Sequence, residues 1–240
     1  MIVMRDDDRW DFEVRVKGQR ACFTMPMFGV ERRTYPFPTP SAMRGLLEAV
    51  FWRPEFRYEI SRVGIVKPGQ EQAITRTELQ ARQSLRSLGT PAKRTLRTTS
   101  YLLDVEYLVQ ARILLHRHAE PGNTHRKYLE QLTRRLTRGA HFQTPYLGLR
   151  EFAAEVSLSD GTGDRPSRYL NAEVGPVFFD QAFIPDGSEM SFKRKDADGV
   201  REVVGRTRPL FFDMRLVEGW VEVPRDLYDD IQALEARHAA

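Results

Sequence analysis

Four consecutive residues, His125, Arg126, Lys127 and Tyr128, place an imidazole, a guanidinium, an ammonium and a phenol side by side. An RNA phosphodiester can be cut without a metal when its own 2′-hydroxyl attacks the adjacent phosphorus. This needs a base for the hydroxyl, a cation for the charged phosphorane and a proton donor for the leaving oxygen. His125 suits the acid or base role, and Lys127 or Arg126 the cation role. The alternative is an ordinary helix start with exposed basic side chains.

Other chemistries have little support in the sequence. There is no glycine-rich phosphate loop and no G-x-S-x-G motif. Cys22 is the single cysteine, which excludes an internal disulfide and a cysteine-rich zinc site. His116, His118, His125 and His141 match no standard metal-ligand spacing. The sequence therefore predicts neither a bound metal nor another cofactor.

Positive charge is concentrated in two segments of a chain of 240 residues with net charge +4. Residues 67–100 carry seven basic against two acidic side chains, and residues 123–150 carry six against one, so each segment is +5. Most of the basic residues are arginine, whose planar fork suits phosphate and stacks on bases. Segregated arginine-rich segments favour a polyanionic partner, and a solvated charged face is the alternative.

The elements that must position these residues follow from hydrophobic periodicity. Alternation predicts strands at residues 11–17, 56–66, 103–115 and 152–158. Thr39 and Pro40 predict the start of a first helix. Asn123 or Thr124 caps a second helix, which Gly139 ends. The order β-α-β-β-α-β predicts an α+β protein with a ferredoxin-like domain.

The rest of the chain divides around this domain. Residues 67–100 form a basic insertion, within which residues 74–88 are predicted to be helical because an unstructured loop of that size is uncommon. A linker at residues 160–167 separates the domain, 1–160, from residues 161–240, where short β-like runs and a terminal helix predict a small antiparallel β appendage. The charged N-terminus and the lack of a membrane-length apolar run predict no membrane association and a cytoplasmic location.

Several segments, taken in order, resemble one known family. They are residues 21–24 (ACFT), 30–35 (VERRTY), 40–54 (PSAMRGLLEAVFWRP), 134–139 (RRLTRG) and 145–152 (PYLGLREF). Together they resemble the fifth-numbered family of CRISPR-associated (Cas) proteins in its subtype I-C (Dvulg) form. The resemblance spans about residues 12–155, with weaker similarity from 210 to 224.

The resemblance implies an RNA-recognition-like ferredoxin domain with a C-terminal β appendage. It also implies a metal-independent endoribonuclease that cuts the repeat-derived hairpin of precursor CRISPR RNA at the 3′ base of the hairpin. It implies that the protein then stays on the 5′ handle as a subunit of the interference complex. The expected partners are therefore CRISPR repeat RNA and the other interference-complex subunits. The alternative is a non-catalytic, RNA-binding subunit of the same complex that caps the 5′ handle.

The sequence departs from the family pattern at the catalytic positions. The family often has a tyrosine just before Trp-Lys-Pro at the end of the first helix, and Phe51 stands there without a hydroxyl. The family's Lys-His pair corresponds to Arg126 and Lys127, with a histidine displaced to His125. The cation role is retained, whereas the base role falls to His125 or Tyr128, unless the substrate hydroxyl needs no strong base.

Two sets of site residues follow. The predicted catalytic residues are His125, Arg126, Lys127 and Tyr128. The predicted RNA-binding residues are arginines and neighbouring aromatics, which grip the backbone or stack on bases. They are Arg32, Arg33, Tyr35, Arg44, Trp52, Arg53, Arg134, Arg135, Tyr146 and Arg150.

Overall fold

The structure is a computed structural model and describes residues 11–80, 93–116, 119–186, 190–196 and 199–236. In these ranges it combines antiparallel β-strands with three α-helices, which confirms the mixed α+β class. The strands are β1 (Phe12–Ala21), β2 (Phe56–Lys67), β3 (Gln70–Leu79), β4 (Arg94–Leu115), β5 (Glu155–Leu158), β6 (Ala172–Ile184), β7 (Met190–Asp196), β8 (Gly199–Val217) and β9 (Trp220–Glu222). The helices are α1 (Pro40–Val50), α2 (His125–Thr137) and α3 (Asp226–Ala236).

Seven strands form one path through the sheet, in the order β5-β1-β4-β2-β9-β8-β6. All the neighbouring strands on this path are antiparallel. The C-terminal strands continue the same sheet, because the three-residue strand β9 pairs with both β2 and β8. Two further strands lie off the path, where β3 pairs with β4 and β7 pairs with β8.

Local chemistry explains the two N-terminal helices. Thr39 caps α1 by accepting the N–H of Ala42 at 3.2 Å, and Pro40 occupies the first turn, as predicted. Thr124 caps α2, and Gly139 follows its end with a positive φ of 63°. The apolar sides of both helices pack in one core with the inward side chains of β1, β2 and β4. This packing fixes the start of α2 beside the end of α1.

The insertion differs from its prediction. Residues 70–79 form strand β3, not a helix, and pair in unbroken register with residues 94–103 of β4. Cross-strand hydrogen bonds to a distant segment outweigh the local helical preference, and periodicity alone does not separate the two states in so short a run. Residues 81–88 of the predicted helix lie outside the described residues.

The opposite face of the sheet is polar at its centre. Glu13 is buried and accepts hydrogen bonds from Gln110, Ser159 and Arg165 at 2.6, 2.6 and 2.7 Å. Further along the same face, Glu106 is paired with Arg15. The positive charges on this face are therefore largely matched by carboxylates. Among the described helices, none is long and apolar enough to cross a membrane.

Candidate functional site

The start of α2 holds an ordered group of polar side chains. The ammonium of Lys127 donates to the Oδ1 atom of Asn123 at 2.6 Å. The Nδ2 atom of Asn123 donates in turn to the Oε2 atom of Glu55 at 2.8 Å. Glu55 lies between α1 and β2, so this chain of hydrogen bonds joins the segment after α1 to the start of α2. It also fixes the direction in which the Lys127 side chain extends.

Tyr128 belongs to the same group. Its ring is buried against Phe51 and Phe56, with centroids 6.2 and 4.9 Å away. Its hydroxyl donates to Glu55 in a short hydrogen bond. Burial and the Glu55 carboxylate together raise the pKa of Tyr128 to about 12. The phenol is therefore protonated at neutral pH and is held against an acceptor that can take its proton.

These groups line one cleft of about 420 Å³, which we call the Lys127 cleft. Its walls are Arg53, Pro54, Glu55, Asn123, Lys127, Tyr128 and Gln131. Arg53 and Lys127 are exposed, whereas Glu55 is buried. The cleft thus presents two cations to solvent above a carboxylate–phenol pair, which is an arrangement able to hold a phosphate and remove a nearby proton.

The other two predicted catalytic residues lie elsewhere on α2. The Nε2 atom of His125 is 2.7 Å from the Oδ2 atom of Asp11, and the hydrogen bond to this carboxylate raises the pKa of His125. Arg126 donates to Glu130 at 2.8 Å and is 82% exposed. Neither side chain lines the Lys127 cleft. The structure therefore brings together Lys127 and Tyr128 from the predicted set, and separates His125 and Arg126 from them.

A second cleft of about 450 Å³ adjoins the first, since Arg53 and Pro54 line both; we call it the Trp52 cleft. The ring of Phe51 forms part of its wall, and the guanidinium carbons of Arg135 and Arg53 lie 5.4 and 5.7 Å from the ring centroid. Tyr146 and Phe142 enter the cleft from the loop after α2. Four of the predicted RNA-binding residues, Trp52, Arg53, Arg135 and Tyr146, therefore share one cleft.

Two predicted RNA-binding residues have structural roles instead. Tyr35 is buried in the core, and its hydroxyl accepts the N–H of Phe178 at 3.2 Å, so its ring has no face open to a base. Arg44 donates to both carboxylate oxygens of Asp180 at 2.7 and 2.9 Å and to Glu48 at 2.7 Å. These carboxylates neutralise Arg44, so its assignment as a phosphate contact does not fit this geometry.

The remaining predicted RNA contacts spread over the surface. Arg134 and Arg150 are exposed, on the outer side of α2 and in the loop before β5. Arg33 is half exposed, with Glu31 at 3.7 Å. Arg32 pairs with Glu78 of β3 at 2.7 Å, which ties its loop to the β3–β4 hairpin. These four positions remain predictions as RNA contacts.

Sequence reasoning missed Glu55 and Phe142. Glu55 follows Pro54 at the predicted start of a strand, where a single acidic residue carries no signal. Phe142 lies in a polar loop, and only Tyr146 among its aromatic neighbours in the cleft is close in sequence, since Phe51 and Trp52 lie at the end of α1. In the described parts of the chain, no three His, Cys, Asp or Glu side chains come together as metal ligands would.

This fold and these clefts define an α+β protein with a basic, aromatic-rich surface beside its helices. A family model described as "CRISPR-associated protein (Cas_Cas5)" matches residues 12–224. The protein of Thermus thermophilus named "CRISPR pre-crRNA endoribonuclease Cas5d" is 47% identical over 229 residues, covering 95% of this chain and 97% of the relative. Its counterpart of the same name from Mannheimia succiniciproducens is 31% identical over 209 residues, covering 79% and 93%.

The chain therefore belongs to the Cas5d family of CRISPR-associated proteins, the subtype I-C form, which confirms the resemblance seen in the sequence. A solved structure described as a CRISPR-associated protein superposes with a TM-score of 0.62 at 22% identity, covering 95% of this chain and 94% of that one. At this level of identity the likeness concerns the fold.

Proposed function

We propose that this chain is a metal-independent endoribonuclease that cuts the repeat hairpin of precursor CRISPR RNA and then remains on the 5′ handle. The observation that carries the proposal is the Lys127 cleft, where two cations stand over the Glu55–Tyr128 pair. The name of the relative at 47% identity supports the same substrate. No cofactor takes part in the proposed reaction, which we expect to occur in the cytoplasm.

In this proposal the domain of residues 1–160 is ferredoxin-like, which suits the binding of RNA. The strand order β5-β1-β4-β2, antiparallel throughout, and the placement of α1 and α2 against one face support that assignment. In this scheme the β3–β4 hairpin is the basic insertion of residues 67–100. The C-terminal strands then form the appendage, with a boundary near residue 160.

The cations supply the electrostatic part of the reaction. When the 2′-oxygen bonds to phosphorus, the phosphorane carries more negative charge on its non-bridging oxygens than the ground state does. Lys127, held by Asn123, and Arg53 flank the position that such a phosphate takes in the cleft. Arg126 lies outside the cleft and is paired with Glu130. Its contribution to the reaction is therefore limited to long-range electrostatic attraction of the RNA.

The Glu55–Tyr128 pair supplies the proton acceptor. The Tyr128 hydroxyl takes the proton of the attacking 2′-hydroxyl and passes its own proton to Glu55. A bond forms between phosphorus and the 2′-oxygen, and the bond to the 5′-oxygen breaks. The leaving 5′-oxygen takes a proton from solvent. The products are a 2′,3′-cyclic phosphate and a 5′-hydroxyl, without oxidation or reduction.

His125 has a positioning role in this scheme. Its contact with Asp11 ties the first turn of α2 to the segment that enters β1, where Asp11 also accepts the N–H of Ile113 at 2.8 Å. Since Lys127 and Tyr128 lie on that same turn of α2, the Asp11 contact stabilises their placement. This differs from the acid or base role that the sequence predicts for His125.

The alternative function is a non-catalytic subunit that binds the 5′ handle. Phe51 favours it, because the family often has a tyrosine at this position and the buried phenyl ring has no hydroxyl to offer. A Phe51→Tyr variant that gains cleavage over an inactive parent protein would support this alternative.

The deciding experiment is incubation of the protein, in excess and with EDTA, with the repeat RNA of its own array. We expect one cut at the 3′ base of the hairpin, ending in a cyclic phosphate, and no cut when the nucleotide before the scissile phosphate is 2′-deoxy. Lys127→Ala should reduce the single-turnover rate by about a hundredfold or more. If the RNA stays intact while tight binding is retained, the nuclease is ruled out and the non-catalytic, handle-binding function is supported.

Arg126→Ala is the matched control for Lys127→Ala. It removes a neighbouring cation from the same helix turn without touching the cleft, so the cleavage rate should change little. Equal losses from the two substitutions would show that general attraction of RNA, not placement in the cleft, explains the effect of Lys127.

A further inference from the structure

The Trp52 cleft leaves large aromatic side chains uncovered. Phe142 is 76% exposed and Trp52 is 50% exposed, although both lie beside a buried core. Exposed apolar side chains that cluster in a concave site are typical of a binding site, whereas single ones need no explanation. These two share the cleft with Tyr146 and the ring of Phe51.

The exposure of Phe142 is built into the backbone. Its N–H donates to the carbonyls of Ala49 and Val50 at 3.0 and 3.2 Å, and the N–H of Gln143 donates to Ala49 at 2.9 Å. The loop after α2 is thus hydrogen-bonded to the last turn of α1. The position of the Phe142 side chain at the mouth of the cleft is therefore fixed by backbone hydrogen bonds.

The charge of the cleft is also unbalanced. Arg53 and Arg135 both approach the Phe51 ring, and Arg135 additionally donates to the carbonyl of Val50 at 3.3 Å. Of the carboxylates in the described ranges, none forms an ion pair with either guanidinium, and Glu48, which lines the cleft, is paired with Arg44. A flat ligand with an attached negative charge complements such a site.

We propose that the Trp52 cleft binds one unpaired nucleobase of the RNA, next to the nucleotide whose phosphate enters the Lys127 cleft. This rests on the proposed function and adds a subsite to it. The two clefts share Arg53 and Pro54, so adjacent nucleotides occupy them. A cleft of about 450 Å³ is in the range of small-molecule sites and accommodates a base and its sugar. Single-stranded bases at the end of a hairpin are free to leave the stack and pack against aromatic rings.

The test combines protein variants with altered RNA. A cleavage-resistant repeat RNA, 2′-deoxy at the scissile nucleotide, is prepared with a single abasic site at each unpaired position flanking the stem in turn. Phe142→Ala and Trp52→Ala should each weaken binding of the intact-base RNA roughly five- to hundredfold, the range measured for stacked bases. At one flanking position the abasic site should weaken binding to the unsubstituted protein and remove most of the effect of both variants.

Tyr169→Ala is the matched control, since this ring is 95% exposed and lies outside both clefts. The Tyr169→Ala protein should bind every one of these RNAs with the same affinity as the unsubstituted protein. The subsite is overturned if Phe142→Ala and Trp52→Ala weaken all the abasic RNAs as much as the intact one, or weaken none.

Binding and cleavage are scored separately, so the two proposals fail in different ways. Tight binding that is weakened by the abasic site, without cleavage of unmodified RNA, supports the subsite and rules out the nuclease activity. Cleavage without any response to the abasic sites removes the subsite and leaves the nuclease. Absence of repeat-RNA binding removes both.

Discussion

Glu55 is the residue on which the chemistry of the Lys127 cleft depends. One of its oxygens accepts from both the Tyr128 hydroxyl and the Asn123 amide, and Asn123 holds the ammonium of Lys127. The carboxylate is buried, so few other groups can replace these partners. Its charge therefore affects both the proton acceptor and the placement of the cation.

We predict that Glu55→Gln lowers the single-turnover cleavage rate by about 10²- to 10⁴-fold, the range of a lost general base. Glutamine keeps the shape of the side chain, so RNA affinity should remain close to that of the unsubstituted protein. Gel-based cleavage and filter binding measure the two quantities. Glu130→Gln, which removes only the exposed partner of Arg126, is the control. A Glu55→Gln protein that cuts at the normal rate would rule out Glu55 as the acceptor.

The His125–Asp11 pair should make stability depend on pH. The hydrogen bond to Asp11 raises the pKa of His125 above its ordinary value of 6.5. The folded protein therefore holds the proton more tightly than the unfolded chain does. The stabilisation is fully present below about pH 6.5, and it is lost as the pH rises through the higher pKa of the folded state.

His125→Gln should consequently reduce the free energy of unfolding more at pH 6 than at pH 9. Because His125 is 42% exposed, solvent screens the pair and the difference should be below about 1 kcal/mol. Urea denaturation of both proteins at several pH values measures it. A loss that is the same at every pH would mean that the charged form of His125 contributes nothing.

At the scale of single residues, the sequence shows which types of side chain lie at the start of α2, but not the directions in which those side chains point. His125, Arg126, Lys127 and Tyr128 are adjacent, but successive helical residues point about 100° apart. Only two of the four therefore reach one cleft, and the partner that completes it, Glu55, lies about seventy residues earlier. No spacing rule connects residues on separate elements, because the packing of α1 against α2 decides which of their side chains meet.

Among the elements, the loop between α2 and β5 is constrained by close backbone contacts with the end of β1. The N–H of Cys22 donates to the carbonyl of Leu147 at 3.0 Å, which docks this loop on the end of β1. Gly148 follows with a positive φ of 82°, and a β-carbon there would overlap the carbonyl oxygen of Cys22. Both the backbone conformation and the close approach require glycine.

We predict that Gly148→Ala destabilises the protein by well over the roughly 1–2 kcal/mol that a left-handed alanine costs. Gly139→Ala is a matched control, since Gly139 also has a positive φ but open space around it. It should lose about 1–2 kcal/mol and no more. Chemical denaturation of the two variants tests the difference. Equal losses in the free energy of unfolding would show that the loop can move away from Cys22 with little cost in free energy.

The helices were easier to predict than the insertion. Thr39, Pro40 and Gly139 act within a few residues of themselves, so the ends of α1 and α2 followed from local chemistry. Strand β3 has no such signal, because its partner in β4 begins beyond a segment of fourteen residues. The sequence also gave no sign that strand β9, three residues long, joins the C-terminal strands to β2.

At the scale of the whole molecule, the N- and C-terminal parts are joined through sheet, core and charge. The sheet is continuous through β9, and α1 packs with strand β6 in a single core. The bidentate pair of Arg44 in α1 with Asp180 in β6 lies at this junction. Asp180 is buried, so its carboxylate depends on the guanidinium for compensation.

We predict that Asp180→Asn lowers the free energy of unfolding by about 1.5–3 kcal/mol, the range for a hydrogen bond to a charged group. Asp213→Asn, on an exposed position of β8, should change it little. Because the pair links two parts of one core, unfolding should remain a single transition at the lower midpoint. Fluorescence of Trp52 and of Trp220 reports the N- and C-terminal parts when each is observed in a protein lacking the other tryptophans. A midpoint that shifts for Trp220 alone would mean that residues beyond about 160 unfold independently, and that Arg44 and Asp180 do not couple the two parts.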